Sequence, residues 1–130
     1  GQLSAGEQAV VALEVSVQTG CAYCESVFVS EARRHGVDEA AIKAICAGEM
    51  PGAERERVLV QATRRIAQTH GRLGRHEIAD FEAQGLDSSG LLEIITIFAA
   101  YTLATYTNNL LRTRIDPEFR LPPDDSCTET

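Results

Sequence analysis

The chain has 130 residues, which is enough for one domain with a buried core. Its formal net charge is −7 at pH 7, from 12 Lys and Arg against 19 Asp and Glu. With no basic stripe, this balance argues against nucleic acid and against an anionic membrane surface as partners. The sequence opens without a charged segment and an apolar run, so we expect no signal peptide. We therefore expect a cytoplasmic location, in which the four cysteines are kept reduced.

Apolar periodicity and capping residues predict an all-α fold of six helices. Ser4 and Glu7 have the spacing of a capping box, and Gly20 suits the end of the helix that follows. Asp38 can cap the third helix, and Asp87 begins the capping segment of the sixth. The predicted spans are about 5–19, 21–35, 39–48, 53–70, 75–84 and 90–112.

The sixth predicted helix is unusual because it has no charged residue from Ile94 to Leu111. The run is nearly long enough to cross a membrane, but its threonines, tyrosines and asparagines make it too polar to favour one. Such a helix in a soluble protein is either central or shared with another subunit. We therefore expect a homo-oligomer without a membrane partner.

The proline-rich end of the chain sets the expected domain limits. We predict a single helical domain over residues 1–119 and an extended tail over residues 120–130. Cys127 falls in that tail, where we expect it to play no part in the chemistry.

Cys21 and Cys24 form a CxxC pair where the second helix is expected to begin. Three residues apart on a helix they share a face, and a helix N-terminus favours a thiolate with a lowered pKa. The pair can therefore be a redox dithiol, two buried structural thiols or half of a zinc site. A zinc site needs four ligands, and no second CxxC or HxxxH follows, so we expect no metal.

Glu14 is a carboxylate within the apolar stripe of the first helix, beside Val10, Leu13 and Val17. It can be an edge residue that reaches solvent or pairs with an arginine. Alternatively, it can be a partly buried general base near the thiols, with a raised pKa.

An ordered set of segments resembles the carboxymuconolactone decarboxylase and alkylhydroperoxidase D-like family. The resemblance extends from Leu3 to about Phe119, which is nearly the whole chain. The segments are Leu3–Gln8, Gly20–Cys24, Glu31–Val37, Phe81–Leu86, Leu92–Ile94, Tyr106–Leu110 and Ile115–Phe119.

The resemblance implies an alkylhydroperoxidase D-like six-helix bundle that associates as a dimer, trimer or hexamer. It implies reduction of hydroperoxides by the CxxC pair, with Cys24 as the peroxidatic thiol and Cys21 as the resolving thiol. An external dithiol would then reduce the disulfide. No metal or organic cofactor is implied.

The sequence departs from the family pattern at the proton relay. The relay histidine, four residues after the second cysteine, is replaced by Phe28, and the commonest upstream glutamate is replaced by Ala9. Glu7 matches a glutamate of one subgroup, and Glu14 is the carboxylate best placed by helical phase. Catalytic candidates are therefore Cys24, Cys21, Glu14 and Glu7.

The function predicted from the sequence is an alkylhydroperoxidase-like antioxidant or a thiol–disulfide oxidoreductase. Two alternatives stay open. One is a carboxymuconolactone decarboxylase-like enzyme acting on a small lactone, and it needs a cation to hold the substrate carboxylate. The other is a non-catalytic, redox-sensing oligomer, which the loss of the relay histidine favours.

Overall fold

The computed structural model describes residues 2–115 and 117–119, which form six α-helices and one 3-10 turn. Those residues contain no strand, so the predicted all-α bundle is confirmed. The helices are α1 (Ala5–Thr19), α2 (Ala22–Arg34), α3 (Glu39–Cys46), α4 (Glu54–Thr69), α5 (Arg75–Ala83) and α6 (Ser88–Leu111), followed by the turn Pro117–Phe119. The predicted tail over residues 120–130, with Cys127, lies outside the described residues, and the domain limits stay a prediction.

Helix α1 is the centre of the bundle and packs against α2, α3, α4 and α6. Its residues from Ala9 to Ser16 are buried on every side of the helix. The predicted capping box is present, since Ser4 Oγ accepts the Glu7 N–H and the Glu7 carboxylate accepts the Ser4 N–H. Gly20 ends the helix with φ 72°, a left-handed conformation that glycine adopts without a steric penalty.

Buried aliphatic side chains from α1 to α4 and α6 form one core around α1. The largest fully buried apolar side chains are Leu13, Ile45, Leu59, Leu86, Ile94 and the valines 10, 11, 15, 29, 58 and 60. This core holds α1 and α2 together at the junction between them, where the two cysteines lie.

Helix α6 has 24 residues and is mostly uncovered within the single chain. Among the described residues, α6 alone is long and apolar enough to cross a membrane, judged by length and composition only. However, only 22% of its 18-residue apolar stretch is buried. Leu103 and Leu110 are 70% and 82% exposed. The prediction of a central helix is therefore wrong for α6 within one chain, while a helix shared between subunits stays a prediction.

Candidate active site

The junction between α1 and α2 places the CxxC pair. After the left-handed turn at Gly20, the Cys21 N–H donates to the Ser16 carbonyl at 3.1 Å. Cys21 has an extended backbone and is the N-cap of α2, with its sulfur accepting the Cys24 N–H at 3.2 Å. A thiol thus takes the place of the usual Ser or Asp cap, and the first turn of α2 holds both cysteines.

The two sulfurs lie in hydrogen-bond contact in a reduced pair. Cys21 Sγ and Cys24 Sγ are 2.8 Å apart, and neither cysteine is in a disulfide. Both residues are buried, with 1% and 4% of their surface exposed. A disulfide requires a sulfur–sulfur distance of about 2.05 Å, so a small side-chain movement can close the bond.

Polar groups of α6 surround the second sulfur. Thr105 Oγ1 donates to Cys24 Sγ at 3.6 Å, and Asn108 Nδ2 donates to the same sulfur at 3.7 Å. Thr19 Oγ1, at the end of α1, lies 3.3 Å from Thr105 Oγ1 and helps to hold it. The site is therefore built from α1, α2 and α6 together.

Burial raises the pKa of Cys24 to about 11, because the thiolate would lose its hydration. The hydrogen bond with Cys21 raises that pKa further, while Thr105 and Asn108 lower it by donating to the sulfur. The expectation of a lowered thiol pKa is thus wrong for Cys24. At this position, burial and the neighbouring thiol raise the pKa of Cys24 by more than the helix N-terminus lowers it.

Phe28 occupies the position of the missing relay histidine and packs against α6. Its ring centroid is 4.5 Å from that of Tyr101, with the planes inclined by 72° in an edge-to-face pair. This pair places an apolar ring one turn beyond Cys24 on α2. Phe28 has no group that can transfer a proton.

The two predicted carboxylates are held by arginines of α4. Glu14, which is buried, accepts hydrogen bonds from Arg64 at 3.1 Å and from Gln18 at 2.6 Å. Glu7 forms an ion pair with Arg55, whose Nε lies 2.5 Å from its carboxylate, and its pKa is lowered. Burial opposes the lowering, and the hydrogen bonds from Arg55 and Ser4 cause it.

Neither of these carboxylates forms a hydrogen bond with the dithiol among the described residues. Glu14 and Thr19 are five positions apart on α1, which separates them by roughly 140° around the helix axis. Thr19 faces Thr105 and the cysteine side, whereas Glu14 faces α4. The assignment of Glu7 and Glu14 as catalytic residues stays a prediction. Of the arrangements expected for Glu14, the structure has the one in which it pairs with an arginine.

Glu25, in the first turn of α2, is a buried carboxyl that the sequence reasoning missed. It is 3% exposed, and its Oε2 atom is buried with no hydrogen-bond partner among the described residues. Burial alone raises its pKa to about 7. An acidic residue in the first turn of a helix usually faces solvent, so the residue type alone did not indicate that Glu25 is buried. The available signal was its spacing, because Cys21, Glu25 and Ala32 share one apolar stripe.

A cavity of about 330 Å³ lies between α1 and α4, away from the dithiol. Glu14, Arg64, Val17 and Ala67 are among the residues that line it. Arg64 Nη2 also donates to the Glu49 carbonyl at 2.9 Å, which fixes the guanidinium at the cavity wall. An arginine therefore does face inward, although the sequence did not distinguish it from the solvated ones.

Metal binding was a third interpretation of the CxxC pair. Across residues 2–115 and 117–119, no group of three or more His, Cys, Asp or Glu side chains is arranged to hold a metal ion.

Comparison with known proteins finds a family match over the first half of the chain. The family model described as the carboxymuconolactone decarboxylase family matches residues 1–69, just over half of the sequence. The match spans α1 to α4 and includes the CxxC pair. No curated protein matches the chain.

Proposed function

The chain belongs to the carboxymuconolactone decarboxylase family, and on that premise we propose that it is a CxxC-dependent thiol–disulfide oxidoreductase of the alkylhydroperoxidase-like kind. The observation that carries the proposal is the reduced Cys21–Cys24 pair, with its sulfurs 2.8 Å apart at a helix start. Two buried thiols in contact can cycle between dithiol and disulfide with little movement of the backbone.

The proposed cycle oxidises two thiols and reduces one hydroperoxide. Cys24 sulfur attacks the terminal peroxide oxygen, the O–O bond breaks, and the thiol proton ends on the alcohol that leaves. Cys21 sulfur then attacks the sulfur of the Cys24 sulfenic acid, and the S–O bond breaks to give the disulfide and water. An external dithiol returns the pair to the reduced state by thiol–disulfide exchange.

The first step is expected to be slow at neutral pH. A thiol with a pKa of about 11 is ionised in only about one molecule in ten thousand at pH 7. Phe28 cannot take the proton, so the relay histidine of the proteins that the sequence resembles is not available here to assist the attack.

We also propose that the protein acts in the cytoplasm as a homo-oligomer. The support for an oligomer is the exposed apolar face of α6, on which Leu103, Tyr106 and Leu110 lie together. Burying that face against another copy would remove it from water.

The test is hydroperoxide consumption by the reduced full chain, supplied with a dithiol, for the parent and for the variants Cys24→Ser and Cys21→Ser. Loss of consumption in Cys24→Ser, with disulfide formation lost in both variants, supports the proposal. Ser30→Ala, on the same helix, is the matched control and should behave as the parent. A parent that forms its disulfide once but does not turn over is instead a redox sensor. Unchanged activity in Cys24→Ser overturns the proposal.

A decarboxylase-like reaction on a small carboxylated lactone is the second candidate. The specific observation in its favour is Arg64, which lines the cavity between α1 and α4 and can hold a carboxylate there. Activity on such a lactone that survives replacement of both cysteines and is lost in Arg64→Gln would select this candidate. Loss of that activity with the cysteines would reject it.

A further inference from the structure

We propose that Asn108 of α6 admits the hydroperoxide to Cys24 and positions it there, and that the opening at Asn108 selects small hydroperoxides over bulky ones. The identity of the substrate in this inference rests on the oxidoreductase function proposed above. The access that Asn108 gives to the Cys24 sulfur is a property of the fold, and it can be tested without peroxide.

Among the described residues, three side chains form hydrogen bonds with the Cys24 sulfur. Two of them, Cys21 and Thr105, are buried with 1% and 0% of their surface exposed. The third, Asn108, is half-buried, and its Nδ2 atom lies 3.7 Å from Cys24 Sγ. Asn108 is therefore the one of the three that reaches both the sulfur and solvent. Because Cys24 itself is only 4% exposed, the way from solvent that these contacts leave to the sulfur is past the Asn108 amide.

Asn108 faces the dithiol and not the exposed apolar face of α6. It lies three positions beyond Thr105, which contacts the same sulfur. Tyr106 and Leu110 are each two positions away from Asn108, which separates them from it by roughly 160° around the helix axis. The opening at Asn108 thus lies apart from the apolar face, and association of copies through that face does not require it to close.

The Asn108 amide has hydrogen-bonding capacity to spare. Its Nδ2 atom carries two N–H groups, and in the part of the chain that the structure describes only Cys24 Sγ accepts from it. A half-buried amide with a second N–H beside a reactive sulfur can hold a polar ligand there. The bond that it already makes lowers the pKa of Cys24, which is the direction that favours attack by the sulfur.

The step that Asn108 would assist is the attack of Cys24 on the peroxide. A reacting oxygen lies about 3–3.5 Å from its nucleophile. Since Nδ2 is 3.7 Å from the sulfur, one peroxide group can contact both once the Asn108 side chain rotates to make room. The N–H then donates to the peroxide as the O–O bond breaks and its leaving oxygen gains negative charge.

Asn108 gives up no proton in this step. The Cys24 thiol and the hydroperoxide give a sulfenic acid and an alcohol, and the thiol proton ends on the alcohol. The amide therefore acts on the position and charge of the substrate, and the atoms balance as in the cycle proposed above.

The cover over the sulfur also sets the class of substrate. A thiol that is 4% exposed below a half-buried side chain leaves room for hydrogen peroxide or for a primary alkyl hydroperoxide. A tertiary hydroperoxide such as cumene hydroperoxide carries three carbon substituents next to the O–O bond, and these would meet the walls of the opening. We expect the parent to react much faster with hydrogen peroxide than with cumene hydroperoxide.

The first experiment measures the second-order rate of Cys24 sulfenic acid formation in the reduced full chain, with each of these two peroxides. Asn108→Leu keeps the side-chain volume but loses the donor, so its rate with hydrogen peroxide should fall roughly tenfold. That fall should exceed the fall in its rate with iodoacetamide, which reports only the reactivity and access of the thiol. Asn108→Ala removes the cover as well, so the rate with cumene hydroperoxide should rise relative to that with hydrogen peroxide.

The matched controls are Asn109→Leu and Asn109→Ala, which change the same residue type at the next position of α6. Asn109 is exposed and forms no side-chain hydrogen bond with the dithiol among the described residues, so both variants should keep the rates of the parent. Rates and peroxide selectivity that are unchanged in both Asn108 variants overturn the inference. An equal fall with hydrogen peroxide and iodoacetamide in Asn108→Leu overturns the positioning of the substrate.

The second experiment needs no peroxide. The reduced protein is alkylated with iodoacetamide, which is small, or with the bulkier N-ethylmaleimide, and Cys24 is read by mass spectrometry. The ratio of the N-ethylmaleimide rate to the iodoacetamide rate should rise in Asn108→Ala and stay at the parent value in Asn109→Ala. An unchanged ratio in Asn108→Ala overturns the access through Asn108, even if the enzyme is active. A raised ratio in a protein whose parent consumes no peroxide removes the proposed function and retains that access.

Discussion

The Phe28 ring lies edge-on against the ring of Tyr101, with centroids 4.5 Å apart and planes inclined by 72°. The pair joins α2 to α6 one turn beyond Cys24, where proteins that the sequence resembles carry a histidine. An aromatic contact of this kind contributes about 0.5–1.5 kcal/mol beyond its burial. The chain thus has a packing contact between two helices at the position of a proton relay.

Phe28→His is expected to speed peroxide reduction at pH 7. An imidazole one turn from Cys24 can take the thiol proton, and general acid–base assistance of this kind is worth roughly 10²–10⁴-fold. The measurement is the second-order rate of Cys24 sulfenic acid formation with hydrogen peroxide. Phe28→Leu is the control, because it loses the same ring contact without adding a base. Equal rates in the two variants would show that position 28 does not reach the thiol.

The reactivity of Cys24 should depend steeply on pH. Because the pKa of Cys24 is raised to about 11, the thiolate fraction increases about tenfold per pH unit from 7 to 10. Alkylation at Cys24, followed by mass spectrometry of the reduced protein, should rise with that slope. In Cys21→Ser the profile should move to lower pH, since the Cys21 thiol is one cause of the raised pKa. A profile centred near 8.5 in the parent would contradict the buried arrangement.

The helices could be predicted from the sequence because their ends are specified locally. Ser4, Asp38 and Asp87 each accept a backbone N–H at the predicted helix start, and Gly20 adopts the left-handed conformation at the predicted end. These signals act within four residues, so one sequence contains them in full. The CxxC pair at the start of α2 followed from the same reasoning.

The partners of the buried carboxylates could not be predicted in this way. Glu14 and Arg64 are 50 residues apart, and nothing in the spacing of either distinguishes this arginine from its solvated neighbours. The burial of Glu25 depends on how closely α2 packs against the core, and it opposes the usual preference of a first-turn acidic residue for solvent. Likewise, an apolar run does not reveal whether the same chain or another subunit covers it, as α6 shows.

Thr105→Val should make Cys24 less reactive without changing the shape of the site. Thr105 is fully buried and donates to Cys24 Sγ at 3.6 Å, which lowers the pKa of that thiol. Removal of the donor should raise the pKa further and slow alkylation at pH 9 several-fold. Thr102→Val is the matched control, because the buried Oγ1 of Thr102 has no partner among the described residues. That variant should keep the alkylation rate of the parent. Its free energy of unfolding should exceed that of the parent by about 1 kcal/mol, because a buried hydroxyl without a partner is removed.

The buried carboxyl of Glu25 should make stability depend on pH. Its pKa is about 7 in the folded protein against an ordinary 4.5, so between these values the folded state holds a proton that the unfolded chain has lost. The free energy of unfolding should therefore fall as the pH rises from about 4.5 through 7, by at most about 3 kcal/mol. Glu25→Gln removes this loss, so it should match the parent near pH 4.5 and be more stable at pH 8.

The measurement is urea unfolding of the reduced protein at pH 4.5, 6 and 8, followed by circular dichroism at one fixed chain concentration. Glu31→Gln is the control, since its carboxylate is partly exposed and paired with Arg34. A constant difference between Glu25→Gln and the parent at all three pH values would mean that Glu25 titrates alike in both states.

The exposed face of α6 should be the surface through which copies of the chain associate. Leu103, Tyr106 and Leu110 lie three and seven positions apart on one face and are 66–82% exposed in the single chain. Leu103→Glu places a charge in the centre of that face, and burying it unpaired in an interface would cost several kcal/mol. The variant should be a monomer by light scattering at micromolar concentration, whereas the parent should be larger. Ala83→Glu, at an exposed position of α5, adds the same charge elsewhere and should leave the assembly of the parent intact. A monomeric parent would show that this face is not an interface between copies.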